Sequence, residues 1–430
     1  AAAQTDALTG LPNRVALVAT FPKLIDQARW RASTLGVLCI DIDQFKEIND
    51  DFGNAVGDAV LLAVGKRLQG PLGQQAVLAR RGGDDFMVLN PGASSEETAE
   101  LAAGIVTAIA EPIEVDGGTR VFVTASVGYA LAPRDGDRND DLVRRVELAL
   151  GKAKASGGGA AVAFAPEMDL ELSRRRALES ALRAAVAADA INVAYQPIMD
   201  PTGDRVVAVE ALARWTDPLL GAISPEVFVP LAEETGLIPR IGEQVLRRAV
   251  ADGLAWPGID VSVNVSAAQI HHGDVVAVVR DVLRTSKFPP ERLDIEITES
   301  VLLADEKRAN DQIKGLQSLG VKVALDDFGS GYSSLLYLRK FGFDKLKIDR
   351  SFVEEIGRSP DSSVIVASII RLGLDLKLTI TAEGIETPEQ HRWLKAWGCH
   401  QLQGYLFSRP LTAEQMALFL AAHRPIAAAG

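Results

Sequence analysis

Val321-Lys322-Val323-Ala324-Leu325-Asp326-Asp327-Phe328-Gly329-Ser330-Gly331-Tyr332-Ser333-Ser334-Leu335 begins as a short apolar run and breaks into two adjacent carboxylates and a glycine-rich turn. Val321, Val323, Ala324 and Leu325 read as a buried strand with the acids at its end. Two partly buried neighbouring acids repel each other and need raised pKa values or a divalent cation to neutralise them. Taken alone, the pair is more simply read as a solvated loop in which Asp326 and Asp327 cap the following helix. The other strand ends decide between the two readings.

Strand-like runs cover 192–196, 206–210, 261–264, 293–296, 321–327, 345–347, 378–383 and 400–403. Helical patterns at 225–251, 267–286, 306–319, 362–374 and 388–397 separate most of them. Alternation of this kind over roughly 250 residues is the size and rhythm of a (β/α)8 TIM-type barrel. The runs end in Gln196, Glu210, Asn264, Glu296, Asp326, Lys347, Glu383 and Gln403. In a barrel such ends converge on the face where active sites lie. One glutamate at a strand end is ordinarily a solvated loop acid, but convergent acids with a single lysine need cations among them. That tips the Asp326-Asp327 pair toward metal binding.

At 430 residues the chain is too long for one ordinary core, so two domains are expected. A net charge of −12 argues against a nucleic-acid polymer as partner, because such binding rests on a basic surface. The sequence has no apolar run long enough to span a bilayer and no signal-peptide pattern after Ala1, so we expect a cytoplasmic location. Because the chain begins almost at its first motif, we expect it to be the output part of a longer protein with an upstream sensor domain. Cys39 and Cys399 suit a reducing compartment as small buried residues. The five histidines form no metal-binding pattern, so carboxylates would hold any metal, which points to Mg2+ or Mn2+ rather than zinc.

Within residues 1–165, a strand at 35–40 runs into Asp41-Ile42-Asp43, and two runs flank Arg81-Gly82-Gly83-Asp84-Asp85. The glycines predict a hairpin with Asp84 and Asp85 at its tip. With Asp41 on the neighbouring strand, three carboxylates would meet at one edge, as two-metal nucleotidyl transfer requires. Ser156-Gly157-Gly158-Gly159 predicts a flexible turn. Leu170, Leu172, Leu178, Leu182 and Val186 then predict a connecting helix from Pro166 that opens the second domain, residues 166–430.

The motifs Thr5-Asp6-Ala7-Leu8-Thr9-Gly10-Leu11-Pro12-Asn13-Arg14, 41–50, Gly57-Asp58, 80–86 and Val123-Thr124-Ala125-Ser126-Val127-Gly128 resemble the GGDEF family of diguanylate cyclases. The resemblance implies an α+β nucleotidyl-cyclase-like domain and a candidate GTP site with Mg2+. Asp41 and Asp84 would bind metal, with Asp85 beside them at the catalytic carboxylate position. Asn49 and Asp58 would contact guanine, and Lys46 and Lys154 phosphate. The chain departs from the family at Asp85, usually glutamate, and at Asn54, Gly151 and Gly158, usually histidine, tyrosine and arginine. Gly73 and Ala76 stand where an Arg-x-x-Asp inhibitory site belongs. These departures imply weak or absent cyclase activity; a regulatory role with GTP as ligand is the remaining expectation, and Gly158 in place of the phosphate-binding arginine counts against it.

Glu210-Ala211-Leu212-Ala213-Arg214-Trp215 resembles the signature of EAL cyclic-di-GMP phosphodiesterases. Tyr195-Gln196-Pro197-Ile198, Val263-Asn264-Val265-Ser266, Glu296-Ile297-Thr298-Glu299-Ser300, the Asp326-Asp327 loop, Lys347-Ile348-Asp349, Ala382-Glu383-Gly384-Ile385-Glu386 and Gln403-Gly404-Tyr405 accompany it in the family's order. The resemblance implies two Mg2+ or Mn2+ ions, one held by Glu210, Asn264, Glu296 and Asp326 and one served by Asp327 and Glu383. Lys347 would orient the attacking water or offset charge on the phosphate, and Gln403 and Gln196 would position water or nucleotide. Arg214 would contact a phosphate, and Glu299 would hold the Asp326-Asp327 loop. Ser330 stands where threonine is commoner and keeps the hydroxyl. The implied reaction is hydrolysis of cyclic-di-GMP to linear pGpG. A bifunctional enzyme and a non-catalytic receptor remain as alternatives, and a homodimer is expected by family analogy.

Overall fold

The computed structural model describes residues 4–115, 119–329, 335–358 and 360–423. The chain divides into two compact units, Ala1–Arg176 and Ala177–Gly430.

The first unit is built on a five-stranded sheet. In chain order β1 is Leu35–Ile42, β2 Val77–Gly82, β3 Asp85–Pro91, β4 Ile113–Val115, β5 Thr119–Val121, β6 Ala125–Ala132 and β7 Ala161–Ala163. The sheet runs β2-β3-β1-β6-β7, and β4 and β5 form a separate hairpin. Alternation along β1 explains its two faces. Leu38, Ile40 and Ile42 pack on helices Asn54–Gln69 and Ser95–Ala110, while Leu35, Val37 and Cys39 pack on helices Arg14–Trp30 and Asn139–Ala155. Helix Asn139–Ala155 lies so close to β6 that a Cβ on Gly128 would come 2.2 Å from the Leu150 nitrogen and the Val146 oxygen. The strand that runs into Asp41-Ile42-Asp43 stops at Ile42, and Phe45–Phe52 is a helix.

Helix Pro166–Ala187 crosses the division between the units. Met168 belongs to the first core, and Leu182, Ala185 and Val186 belong to the second. The compact-unit boundary therefore falls inside this helix, eleven residues after the one expected at 165.

In the second unit β8 is Asn192–Met199, β9 Val206–Asp217, β10 Gly221–Ile223, β11 Asp260–Asn264, β12 Leu293–Thr298, β13 Lys322–Phe328, β14 Lys345–Ile348, β15 Thr379–Ala382 and β16 Gln401–Gln403. The order β9-β11-β12-β13-β14-β15-β16-β8 closes through a β8–β9 pairing, giving the expected eight-stranded barrel with β10 hairpinned onto β9. Seven strands are parallel and β8 is antiparallel to both neighbours. No helix joins β8 to β9. Asp200 turns the chain there by accepting bonds from the Thr202 hydroxyl at 2.7 Å and the Gly203 amide at 3.1 Å.

Around the barrel, two of the expected helices are split. Gly236, at φ +69, separates Pro225–Glu234 from Ile238–Gly253, and Gly273 with the Asp274 cap separates Ala267–His272 from Val275–Ser286. Outward-facing strand residues such as Val261, Ile295, Val323 and Leu346 form one core with the surrounding helices. Trp215 and Phe228 pack edge to face in it at 5.9 Å, and each such buried side chain contributes about 1.5–3 kcal/mol. No helix among the described residues is long and apolar enough to cross a membrane.

Candidate active site

Toward the carboxyl ends of the barrel strands the inward-facing residues are polar. Glu210 on β9, Asn264 on β11, Glu296 on β12, Asp326 on β13, Lys347 on β14 and Gln403 on β16 rise to one mouth, and Glu383 follows the end of β15. β9 continues seven residues beyond Glu210, so that acid reaches the mouth from mid-strand. Gln196 also arrives by register: it lies inside antiparallel β8, directly opposite Glu210, rather than at a converging strand end. Its Nε2 donates to the Ser408 carbonyl at 3.3 Å, and its Oε1 accepts from Gln403 Nε2 at 3.2 Å.

Lys347, 2% exposed, is at the centre. Its ammonium lies 2.5 Å from Glu296, 2.5 Å from Glu383, 3.3 Å from Asp326 and 3.7 Å from Glu210. Burial disfavours its charge, yet the surrounding acids hold its pKa well above the usual lysine value. The acids respond unequally because their donors differ. Burial pushes Glu296 up to about 8 and raises Asp326 and Glu383, in each case against the pull of Lys347. Glu210 is shifted down despite burial, because it accepts from Lys347, from Gln403 Nε2 at 2.6 Å and from Asn264 Nδ2 at 2.7 Å.

The Asp326-Asp327 step explains how neighbouring acids share one face. Asp327 has φ +55 at a register shift between Leu325 and Phe328, so the strict alternation of a strand is broken there. The Asp327 amide donates to Asp326 Oδ1 at 2.9 Å. Burial, and then the Asp326 charge, push Asp327 up to about 6. One ligand atom from each of Asp326, Asp327 and Glu383 lies within 4.8 Å of the others, the only such acid group among the described residues; Glu210 and Glu296, expected to share one ion with Asp326, do not join it, and the Lys347 ammonium lies among those three acids instead. One ammonium against five carboxylates leaves a buried negative excess, and this hard oxygen donor set fits Mg2+ or Mn2+. Asp349, quoted in the sequence without a role, also hydrogen-bonds Asp327. Its signal was its place just past the end of β14.

Arg214 lies four residues beyond Glu210 on β9, half-buried, its guanidinium donating to the Ala213 carbonyl at 2.8 Å. Glu299 is buried immediately after β12. Residues 330–334 of the loop it is expected to hold, Ser330 among them, lie outside the described residues.

The first unit treats its acids differently. Asp41 and Asp85 do stand opposite each other on β1 and β3, and Asp84 is in the turn before β3. The three carboxylates nevertheless do not gather into a cation-sized group. Arg81 takes Asp85 at 2.6 Å and draws it toward Cys39, whose Sγ donates at 3.4 Å. Lys154, the expected phosphate contact, binds Asp41 at 2.6 Å. Asp85 itself opens β3 rather than sitting at the hairpin tip. Sequence reading also missed Asp43, which accepts from Thr124, Ser126 and the Gly159 amide at 2.7–2.8 Å. Asn49 lies over Gly57, next to exposed Asp58 on the following helix, and Lys46 is exposed. At Gly158, φ is +76 and a Cβ would meet the Asp43 carboxylate at 2.9 Å, so this backbone is set against any side chain.

Comparison with known proteins gives two family matches: the diguanylate cyclase GGDEF domain over residues 3–160 and the EAL domain over residues 179–410. The cyclic di-GMP phosphodiesterase NbdA of Pseudomonas aeruginosa is 38% identical over 98% of this chain and 54% of its own length. The cyclic di-GMP phosphodiesterase PdeR of Escherichia coli is 36% identical over 96% of this chain and 62% of its own. The solved PaMucR phosphodiesterase in complex with c-di-GMP is 40% identical, covers 56% of this chain and 99% of that one, and superposes with a TM-score of 0.54. The chain spans about half the length of the first curated relatives it matches. It belongs to the tandem GGDEF–EAL family.

Proposed function

We propose that the barrel hydrolyses cyclic-di-GMP to linear pGpG in a reaction that needs divalent metal. The observation that carries this reading is the uncompensated acid at the mouth, where Lys347 alone faces Glu210, Glu296, Asp326, Glu383 and, beside them, Asp327. The names of NbdA, PdeR and the PaMucR complex support the same substrate for this chain.

Glu210, Asn264, Glu296 and Asp326 would hold one Mg2+ or Mn2+, and Asp327 with Glu383 the second. When bound, such a pair supplies positive charge to the phosphodiester and lowers the pKa of water at the site. The chain's own residues do the positioning. Gln196 and Gln403, hydrogen-bonded to each other and to Glu210, orient the nucleotide and the attacking water. Arg214 meets a phosphate at the outer end of β9. Lys347 offsets the charge that grows on phosphorus-bound oxygen as the ribose oxygen departs, and Glu299 braces the loop carrying Asp326 and Asp327.

Residues 1–165 act as a regulatory module and residues 166–430 as the hydrolase. GTP with Mg2+ would bind the first domain through Lys46, Asn49, Asp58, Asp84 and the Asp41–Lys154 pair once opened. Cyclase turnover is disfavoured because Arg81 occupies Asp85 and Lys154 occupies Asp41. We place the protein in the cytoplasm, as a homodimer.

The test is to incubate the protein with cyclic-di-GMP and Mg2+ or Mn2+, and separately with GTP, and to resolve the products by chromatography. Linear pGpG that disappears with chelator is the expected result. Dinucleotide recovered intact from the metal-loaded protein would turn the reading into that of a receptor, and cyclic-di-GMP made from GTP into that of a bifunctional enzyme.

A further inference from the structure

Branched apolar side chains ordinarily fill a parallel barrel. Beneath this mouth lies a second tier of charge. Lys345 and Lys347 alternate with Leu346 and Ile348 on β14, and Asp294 and Glu296 alternate with Leu293 and Ile295 on β12. Lys347 reaches Glu296 at 2.5 Å, and one rung lower Lys345 contacts Asp294 in the same diagonal sense. Strand β13 runs between them and presents Ala324, which stands opposite Glu296 on one side and Lys345 on the other. Its single methyl leaves the crossing open to both lysines.

The lower tier is closed on itself. Asp294 is fully buried and Lys345 is 5% exposed. Asp294 Oδ2 also faces the Ser262 hydroxyl at 3.4 Å, and Oδ1 has no hydrogen-bond partner. At the lower rim Lys322 bonds Asp260 at 2.8 Å, and Lys345 lies 3.9 Å from that same acid. Two lysines thus answer Asp260 and Asp294, whereas among the described residues the mouth acids have Lys347 alone. A flexible lysine with a buried, unanswered carboxylate one rung below would be drawn down to it, because an unpaired buried carboxylate is costly and the mouth acids it leaves can be answered by divalent ions.

We propose that the Lys345–Asp294 pair is a positioning device for Lys347. By answering the acid below, it keeps the Lys347 ammonium among the mouth carboxylates. The proposal deepens the hydrolase reading and rests on it for the consequence in turnover.

Lys345→Met takes from Asp294 the one lysine bonded to it, Lys322 being engaged by Asp260, and draws Lys347 away from the mouth. Turnover of cyclic-di-GMP should fall by about tenfold to a hundredfold, with KM changed by less than about twofold. Mn2+, titrated calorimetrically in the absence of nucleotide, should bind roughly fivefold or more tightly, because the mouth loses its one positive charge. Asp294→Asn added to Lys345→Met should restore both quantities. Should Lys345→Met not fold, Lys345→Gln, a neutral donor to Asp294, should move both readouts in the same directions by less. Weakened or unchanged Mn2+ binding in the folded single variant would overturn the proposal, as would a double variant no better than the single. Should the native protein fail to hydrolyse cyclic-di-GMP, the hydrolase reading falls, while the Mn2+ titration still decides the lysine pair.

Discussion

At the barrel mouth Glu210, Glu296, Asp326 and Glu383 turn toward one ammonium, whereas on the first sheet Asp41 and Asp85 each have a base of their own. Asp43, beside them, is answered by three neutral donors. Both regions carry acids on adjacent strands at a sheet end, so acid content alone does not distinguish them. What differs is the balance of partners. A carboxylate with its own arginine or lysine is a finished structural element, and a group of carboxylates with too few cations is an incomplete one that divalent ions complete. By this criterion the barrel acids could bind a metal, whereas in the first domain Arg81 and Lys154 already pair with Asp85 and Asp41.

The largest effect should come from taking an acid out of the incomplete cluster. Glu210→Ala removes a carboxylate that Lys347, Gln403 and Asn264 all contact, and hydrolysis should fall by more than about a hundredfold. Asp84→Ala in the first domain should leave the hydrolytic rate within about twofold. Equal losses in steady-state rate from the two substitutions would erase the distinction.

Next in size is the response of stability to pH and metal, read by thermal melts of the barrel. Burial raises Asp327 to about 6 and Glu296 to about 8, so without divalent ions these carboxyls hold protons when folded that they release on unfolding. Their contribution is complete below the unfolded carboxyl pKa of about 4 and is lost as pH rises through about 6 and then about 8. Glu210, shifted down, runs the other way and loses its contribution on acidification. The metal-free barrel should therefore melt lower at pH 8 than at pH 6. Mg2+ at a hundred times its Kd should restore about 2.7 kcal/mol. A melt that rises with pH without metal would contradict the negative excess at the mouth.

The smallest effect belongs to the closed cluster. Lys154 is 44% exposed, so Lys154→Ala should cost the first domain no more than about 1 kcal/mol in denaturant unfolding. It should also produce no cyclic-di-GMP from GTP, because Arg81 still holds Asp85. Product formation in this variant would mean that the first site is only latched, and would sharpen the comparison in the opposite sense.

Much of this was legible in the residues. The alternation of apolar runs with acids or amides at their ends, from Glu210 to Gln403, reads directly as a barrel with a polar mouth. The direction of β8 was less legible, because strand-like runs carry no arrow. The Asp200-Pro201-Thr202-Gly203 turn, too short for a helix before β9, was the available signal for a hairpin. The fate of Asp85 was not legible at all: Arg81 and Asp85 are four residues apart across a hairpin, and their pairing depends on which way each side chain turns at a register shift between Arg80 and Gly82. The two-tier lysines of β14 were visible only as alternation, since their partners on β12 lie about fifty residues earlier in the chain.

If the barrel mouth is short of positive charge, it should take up divalent ions to supply it. Electron paramagnetic resonance of Mn2+ titrated into the native protein at pH 8 tests this without reference to catalysis. About two ions should bind per chain, with loss of binding in an Asp326→Asn, Asp327→Asn, Glu383→Gln triple variant and no loss in Asp41→Asn. Mn2+ that stays free in the native protein, or that binds as well after the triple substitution, would contradict it.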